Sequence, residues 1–189
     1  MVKNDFIFGA MVDNYMKTEM DQIEDFFEIF NYGVLRNEMK WYHQENTQGN
    51  FNYDDSDWFM DWFDAHNVTF RGHAVFWSVD QFVQNWVQEI AQSDPAQLEQ
   101  LVFDRAEAAV GRYKGRIPNW DTFNEVIHGD FFKRFLGDDI WNRVIDRIKE
   151  IDSDLGIIFN DYQLLTADKG QERVRIVSKS LTIFNGFFR

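Results

Sequence analysis

The sequence contains no cysteine, which excludes a disulfide framework, a thiolate nucleophile and any cysteine-ligated metal site, and leaves its redox compartment unmarked. Nor does any apolar run approach the ~18 residues needed to cross a membrane. Met1-Val2-Lys3-Asn4-Asp5 leads into Phe6-Ile7-Phe8-Gly9 without the continuous apolar core of a signal peptide, so the leader of a secreted protein would lie upstream. Basic residues are scarce: 19 Lys and Arg stand against 32 Asp and Glu, a net charge of −13, with a pI near 4.6. That balance repels phosphate backbones and anionic lipid, setting aside nucleic acid and membranes as partners in favour of something uncharged. The histidines, His43, His66, His73 and His128, have neither His-x-His nor His-Glu-x-x-His spacing, so no catalytic metal is expected. No other cofactor is expected either.

What the chain has instead is aromatic bulk: 20 Phe, 7 Trp and 6 Tyr within a 44% hydrophobic share, ample for a large core. Short apolar runs alternate with amphipathic stretches. Residues 5–11 read as a buried strand. From Thr18, a candidate N-cap, Met20, Ile23, Phe26, Phe27 and Phe30 recur at helical spacing, with Glu19 and Asp21 favoured by the dipole of the first turn. A second strand falls at 34–39. A helix opened by Asp54-Asp55-Ser56 carries Trp58, Phe59, Trp62 and Phe63. There follow a strand at 68–76, a helical region over 79–113 broken at Asp94-Pro95, strands at 119–124 and 156–160 flanking a helix at 138–151, and a last helix at 169–181.

Five strand-then-helix units in succession predict an α/β fold of parallel strands joined by right-handed crossovers, either a doubly wound sheet or a (β/α)8 TIM barrel. Periodicity does not separate the two, though no strand is followed by a glycine-rich phosphate-binding loop. A barrel usually needs about 250 residues, so a chain of 189 holds either a smaller fold or part of one.

The polar residues point to the barrel, whose enzymes place catalytic groups at the C-terminal ends of strands. Here those ends carry Asn37-Glu38-Met39-Lys40-Trp41, Arg71-Gly72-His73 through Trp77, Trp120-Asp121-Thr122-Phe123-Asn124-Glu125, and Asn160-Asp161-Tyr162. A cup lined by Trp, His, Asn, Lys and a Glu suits sugar: aromatic faces stack on pyranose C–H faces, while amides and cations bond hydroxyls. Glycoside cleavage needs two carboxyls, one protonated to assist the leaving oxygen and one across the anomeric carbon, about 5–5.5 Å apart in retaining enzymes. Glu125 fits the first role.

These segments resemble, in order and spacing, those of glycoside hydrolase family 10, the endo-β-1,4-xylanases, over nearly the whole chain. Trp120–Glu125 is similar to the family's Trp-Asp-Val-Val-Asn-Glu segment. That resemblance implies Glu125 as acid/base and Asn124 as partner of the substrate 2-hydroxyl. It likewise implies sugar binding by Asn37 and Lys40 (Glu-Asn-x-Met-Lys-Trp), by His73 and Trp77 (Arg-Gly-His-x-x-x-Trp) and by Tyr162 (Asn-Asp-Tyr). Phe76 to Val87 and Asn124 to Gly129 look more like the plant and animal branch than the bacterial one. Three positions depart from the pattern: Arg36 stands for Glu, Gln163 for Asn, and Ser78 where many bacterial members carry His. The family's nucleophile segment, Thr-Glu-x-Asp on the seventh strand, has no counterpart before Arg189. The expectation is therefore that residues 1–189 are the first five or so βα units of a catalytic barrel, the N-terminal part of a retaining xylan-degrading enzyme, secreted, with its nucleophile outside this chain. Alone, the chain would be inactive.

Plainer readings stand beside these. Without its motif Glu125 would be an ordinary ion-paired carboxylate, His73 a satisfied rim histidine and Lys40 a solvated charge. Trp41, Trp58, Trp62 and Trp86 have the spacing of core residues. Asp152-Ser153-Asp154-Leu155-Gly156 lacks the glycine and closing glutamate of a calcium loop and reads as a turn. Asn67-Val68-Thr69 is a sequon. The rival functional reading is a catalytically idle polysaccharide-binding or acidic matrix component on the same fold, with Asp54, Asp55 and Asp57 meeting calcium. Nothing in the sequence indicates an oligomeric state.

Overall fold

A computed structural model describes residues 6–163. Its sheet has five parallel strands in the order β1-β2-β3-β4-β5: β1 Gly9–Val12, β2 Tyr32–Leu35, β3 Thr69–Trp77, β4 Asn119–Asn124 and β5 Gly156–Asn160. Each strand pairs with the next one made. A doubly wound sheet reverses its order at a switch point. No reversal occurs among the described strands, so every right-handed crossover returns the same way and puts its helices on one face. This is a (β/α) barrel's winding, with five of its strands in place.

Between the strands lie α1 Met20–Ile29, α2 Trp41–Gln44, α3 Asp54–Ala65, α4 Asn85–Ser93, α5 Pro95–Ala106, α6 Phe131–Leu136 and α7 Ile140–Ile151. The Asp94-Pro95 break is a helix start: Asp94 Oδ1 accepts the Gln97 N–H at 3.1 Å and Pro95 needs no donor there. The predicted cap at Thr18 is not one. A 3-10 turn, Asn14–Thr18, occupies that stretch, and the Thr18 hydroxyl turns back to the Tyr15 carbonyl. The first two strands are shorter than predicted, and 36–40 is turn rather than strand. The helix predicted over 169–181 lies outside the described residues.

The core fills the space between sheet and helices. Phe63 of α3 meets Phe26 of α1 at 6.1 Å and Phe70 of β3 at 5.0 Å between ring centroids. Further along, Phe123 of β4 packs on Trp141 of α7 at 4.6 Å, and Phe76 of β3 on Phe132 of α6 at 5.7 Å. The α7 stripe Ile140, Trp141, Val144, Ile145 and Ile148 is buried throughout, as its spacing requires. Each such side chain contributes about 1.5–3 kcal/mol on burial. Gly72 is glycine because the Trp120 ring occupies the space a Cβ would need.

Near their C-terminal ends β3 and β4 break step. Between His73↔Asp121 and Phe76↔Phe123 two β3 residues oppose one β4 residue, and Thr122 is an extra residue against β5. Strict alternation would put Phe123 on the face of Asp121 and turn Asn124 into the helix layer. The bulge at Thr122 reverses this, as bulges re-aim side chains beside functional sites. Phe123 reaches Trp141, and Asn124 bonds Asn160 of β5.

Candidate active site

Glu125 follows β4 with φ 55°, a left-handed conformation that residues with side chains rarely adopt and that gathers at functional sites. Its N–H donates to the Asn160 carbonyl at 2.8 Å, and its own carbonyl accepts from His128 (3.1 Å) and Gly129 (2.8 Å). The turn so formed swings its side chain towards β3. There the Trp77 indole Nε1 donates to Glu125 Oε2 at 2.8 Å.

Trp77 joins two halves of the cup. Lys40 Nζ lies 4.5 Å from its ring centroid, and Phe82 stacks on it at 3.6 Å. Lys40 donates to Asn37 Oδ1 at 3.2 Å, and the Tyr42 hydroxyl reaches the same oxygen at 3.4 Å. With that oxygen occupied, the amide N–H groups of Asn37 are its remaining polar edge. Lys40 is only 8% exposed. Burial lowers its ammonium below the ordinary 10.5, aided by Arg36 and opposed by Glu38 and Glu125. Burial also raises the Tyr42 phenol, with Glu38 adding to the rise.

His73 Nδ1 lies 2.9 Å from Asp121 Oδ2, while Arg71 pairs with Oδ1. A carboxylate only accepts, so Nδ1 carries the proton and Nε2 is left for a ligand. Asn124 is 2% exposed, with its Oδ1 taking Asn160 Nδ2 at 2.7 Å. Tyr162, 48% exposed, lies flat on His128 at 3.6 Å. The His73–Ala74 peptide is cis.

The structure thus brings Asn37, Lys40, His73, Trp77, Asn124, Glu125 and Tyr162 to the same end of the sheet. Asn37, Lys40, Trp77 and Glu125 are linked by direct contacts, and Asn124 with Asn160 adjoins them. Tyr162 stands apart on its own anchor, the Asp161 carboxylate, which takes the Ile127 N–H, the Tyr162 N–H and His128 Nδ1.

Sequence reasoning missed several residues that hold these in place. Glu38, 3% exposed, accepts the backbone N–H groups of Asn14 (3.2 Å) and Asn37 (3.0 Å). Arg105 of α5, 4% exposed, donates to the Met39 carbonyl (2.7 Å), Gln44 Oε1 (2.6 Å), the Val75 carbonyl (3.3 Å) and the Ala74 carbonyl (3.4 Å). It thereby clamps the backbone beside Lys40 to that beside His73. Burial pushes the guanidinium down to about 10, so it remains charged at neutral pH. A charged residue inside an otherwise apolar helix stripe was the available signal. Arg36, by contrast, points outward to Asp13 at 3.1 Å and is half exposed. Glu38, Asp121 and Asp161, three described carboxylates at this end of the sheet, are each committed to groups of the chain itself.

Among the described residues no group of three His, Cys, Asp or Glu side chains is placed to hold a metal. At the acidic start of α3, Asp55 pairs with Lys17 at 2.5 Å, and Asp57 with Arg112 and Tyr113. Arg112 holds the Asp57 carboxyl below the usual range.

The family model described as Glycosyl hydrolase family 10 matches residues 1–182. Endo-1,4-beta-xylanase 1 of Arabidopsis thaliana is 33% identical over 163 residues, which cover 86% of this chain and 17% of that protein. The anti-sigma-I factor RsgI6 of Acetivibrio thermocellus is 32% identical over 173 residues, covering 92% of this chain and 22% of that one. Among solved structures, an endoxylanase of the same family from a sugarcane soil metagenome superposes with a TM-score of 0.85 at 22% identity, over 97% of this chain and 56% of that chain. The fold is therefore that barrel, and this chain spans a little over half of it.

Proposed function

Because the chain belongs to glycosyl hydrolase family 10, we propose that it is the N-terminal part of a retaining endo-β-1,4-glycanase that hydrolyses xylan-type polysaccharide, with Glu125 as general acid and then base. The observation that carries this reading is the setting of Glu125: a left-handed residue at the end of β4, oriented by Trp77, beside a buried lysine and two amides. Asn37, Lys40, Asn124 and Nε2 of His73 supply donors and acceptors for sugar hydroxyls, and Tyr162 supplies an exposed ring for the leaving side. Trp77 acts chiefly by holding the carboxyl, since Phe82 and Lys40 already occupy its ring.

In the first step Glu125 gives its proton to the glycosidic oxygen while a second carboxylate attacks the anomeric carbon. In the next, Glu125 takes a proton from water, which displaces that carboxylate from the sugar. Among the described residues the rim carboxylates Glu38, Asp121 and Asp161 are committed to other groups, and the nucleophile is assigned to the part of the family's barrel that this chain does not span. Residues 1–189 are accordingly one part of a single catalytic domain. The polysaccharide places the protein outside the cell; no helix among the described residues is long and apolar enough to cross a membrane. The calcium-binding matrix alternative loses support from the engagement of Asp55 and Asp57 in ion pairs.

The test uses the full-length protein on xylan. Glu125→Gln is expected to lower kcat about 10²–10⁴-fold, and less on an aryl xyloside, whose leaving group needs no proton. The first product seen by proton NMR should be the β-anomer. Full activity in the variant, or an α-anomer appearing first, overturns the assignment.

A further inference from the structure

Asn67-Val68-Thr69 is an Asn-x-Thr triplet without a central proline, the acceptor pattern for N-linked oligosaccharide, and the active site makes no use of it. It forms the turn from α3 into β3. Asn67 has φ 53° and stands where a helix ends in a left-handed residue, usually glycine and sometimes asparagine. That role accounts for an asparagine at 67. It does not call for a hydroxyl at 69.

The backbone of the triplet is tied down. The N–H groups of Asn67, Val68 and Thr69 donate to the carbonyls of Asp64 (3.2 Å), Phe63 (3.0 Å) and Asn31 (3.1 Å). Its side chains alternate: Val68 and Phe70 are 5% and 1% exposed in the core, whereas Asn67 and Thr69 are exposed on the other side. Neither of these two side chains is engaged among the described residues. A cavity of about 800 Å³ opens beside Asn67, walled by Lys114, Arg116, Asp152 and Asp154, so the amide borders open polar space. The turn lies at the N-terminal end of β3. Nine residues of strand, Thr69 to Trp77, carry the chain roughly 25 Å from it to the cup, and a bulky group on Asn67 leaves the cup uncovered.

We propose that Asn67 is an N-glycosylation site. The proposal rests on the extracellular placement given above and adds to it export through a eukaryotic secretory pathway, whose transferase draws oligosaccharide from a polyprenyl diphosphate. Asn67 Nδ2 bonds to the anomeric carbon of the first N-acetylglucosamine as the bond from that carbon to the diphosphate oxygen breaks. The polyprenyl diphosphate leaves with the electron pair, and the amide gives up one proton. Transfer meets the chain as it emerges, and the fold must then bear the product. An exposed, unengaged amide on a backbone held by its own hydrogen bonds meets that requirement.

The experiment expresses the full-length protein with its own N-terminus in eukaryotic cells and collects both medium and cells. It is compared with Asn67→Gly, which suits the left-handed turn but lacks the amide, with Thr69→Val, which keeps the β-branch but lacks the hydroxyl, and with Thr69→Ser, which keeps the hydroxyl. Peptides spanning residue 67 are weighed before and after a peptide N-glycosidase acting in heavy-oxygen water. The parent and Thr69→Ser are expected to carry an N-acetylhexosamine-based oligosaccharide there, released to leave a labelled aspartate, and the other two variants none. An unmodified Asn67 in protein recovered from the medium overturns the site and leaves the extracellular placement standing; unmodified protein retained in the cytosol overturns both. Oligosaccharide persisting on Thr69→Val also overturns it. A glycosylated, secreted parent that cleaves no xylan upholds the site while the glycanase reading fails.

Discussion

Lys40 is the residue whose environment most changes its chemistry. Burial disfavours its charge, so the native protein gives up this proton at a lower pH than free lysine does. The ammonium donor is lost over an alkaline interval lower than that of free lysine. In a full-length Glu125→Gln protein, whose lost carboxylate can only lower Lys40 further, affinity for xylo-oligosaccharides should fall across that interval. Lys40→Arg should carry the falling limb to higher pH, and a limb that stays in place would assign it to another group. That Glu125, Asn37 and Lys40 lie together at one end of the sheet was legible in the sequence through the short motifs around them. Asp121 and Glu38 were not, because their roles depend on partners remote in the chain: Arg71 stands 50 residues before Asp121, and Asn14 24 before Glu38. Local patterning carries no information about such pairs.

Among elements, strands β4 and β5 and helix α3 match their predicted positions because each has a strong period and a clear stop. The polar turn after β2 was misread as strand, since Asn37 to Lys40 continue the mixture of apolar and polar residues without a glycine or proline to mark the end. Helix α6 escaped notice for the opposite reason: its six residues are too few to establish a period. The link between elements that matters most is Arg105. Replacing it with Met leaves the Met39 carbonyl and Gln44 Oε1 without their donor inside the core, at a cost of about 2–4 kcal/mol. Urea unfolding of Arg105→Met should show that loss as a lower midpoint with an unchanged slope. A stability within 0.5 kcal/mol of the parent, about what a plain surface change does, would remove Arg105 from the clamp.

At the scale of the molecule, the described sheet ends at β1 and β5. Near the first edge Phe6, Ile7, Phe8 and Met11 are 73%, 67%, 50% and 55% exposed, and every residue of β5 is partly exposed. Open parallel edges flanked by apolar side chains are templates for pairing. The 189-residue chain produced alone should therefore associate, eluting in light-scattering chromatography above its 22.6 kDa mass. A stable monomer would show that these edges are not adhesive. That a barrel was legible in the sequence at all came from the site motifs, because periodicity alone left an open sheet equally possible; only the strand order decides between them.

That order also makes the sequence of synthesis a sequence of assembly. Each strand leaving a ribosome finds its partner already made, one crossover back, so loop-closure costs stay small at every step. The exception is the last pairing, which must join the final strand of the barrel to β1, the first one formed. Until then the half-built protein carries its two adhesive edges through the whole interval of translation. The delay between making β1 and covering it, rather than the stability of any single strand, becomes the period in which this fold is most exposed to misassembly.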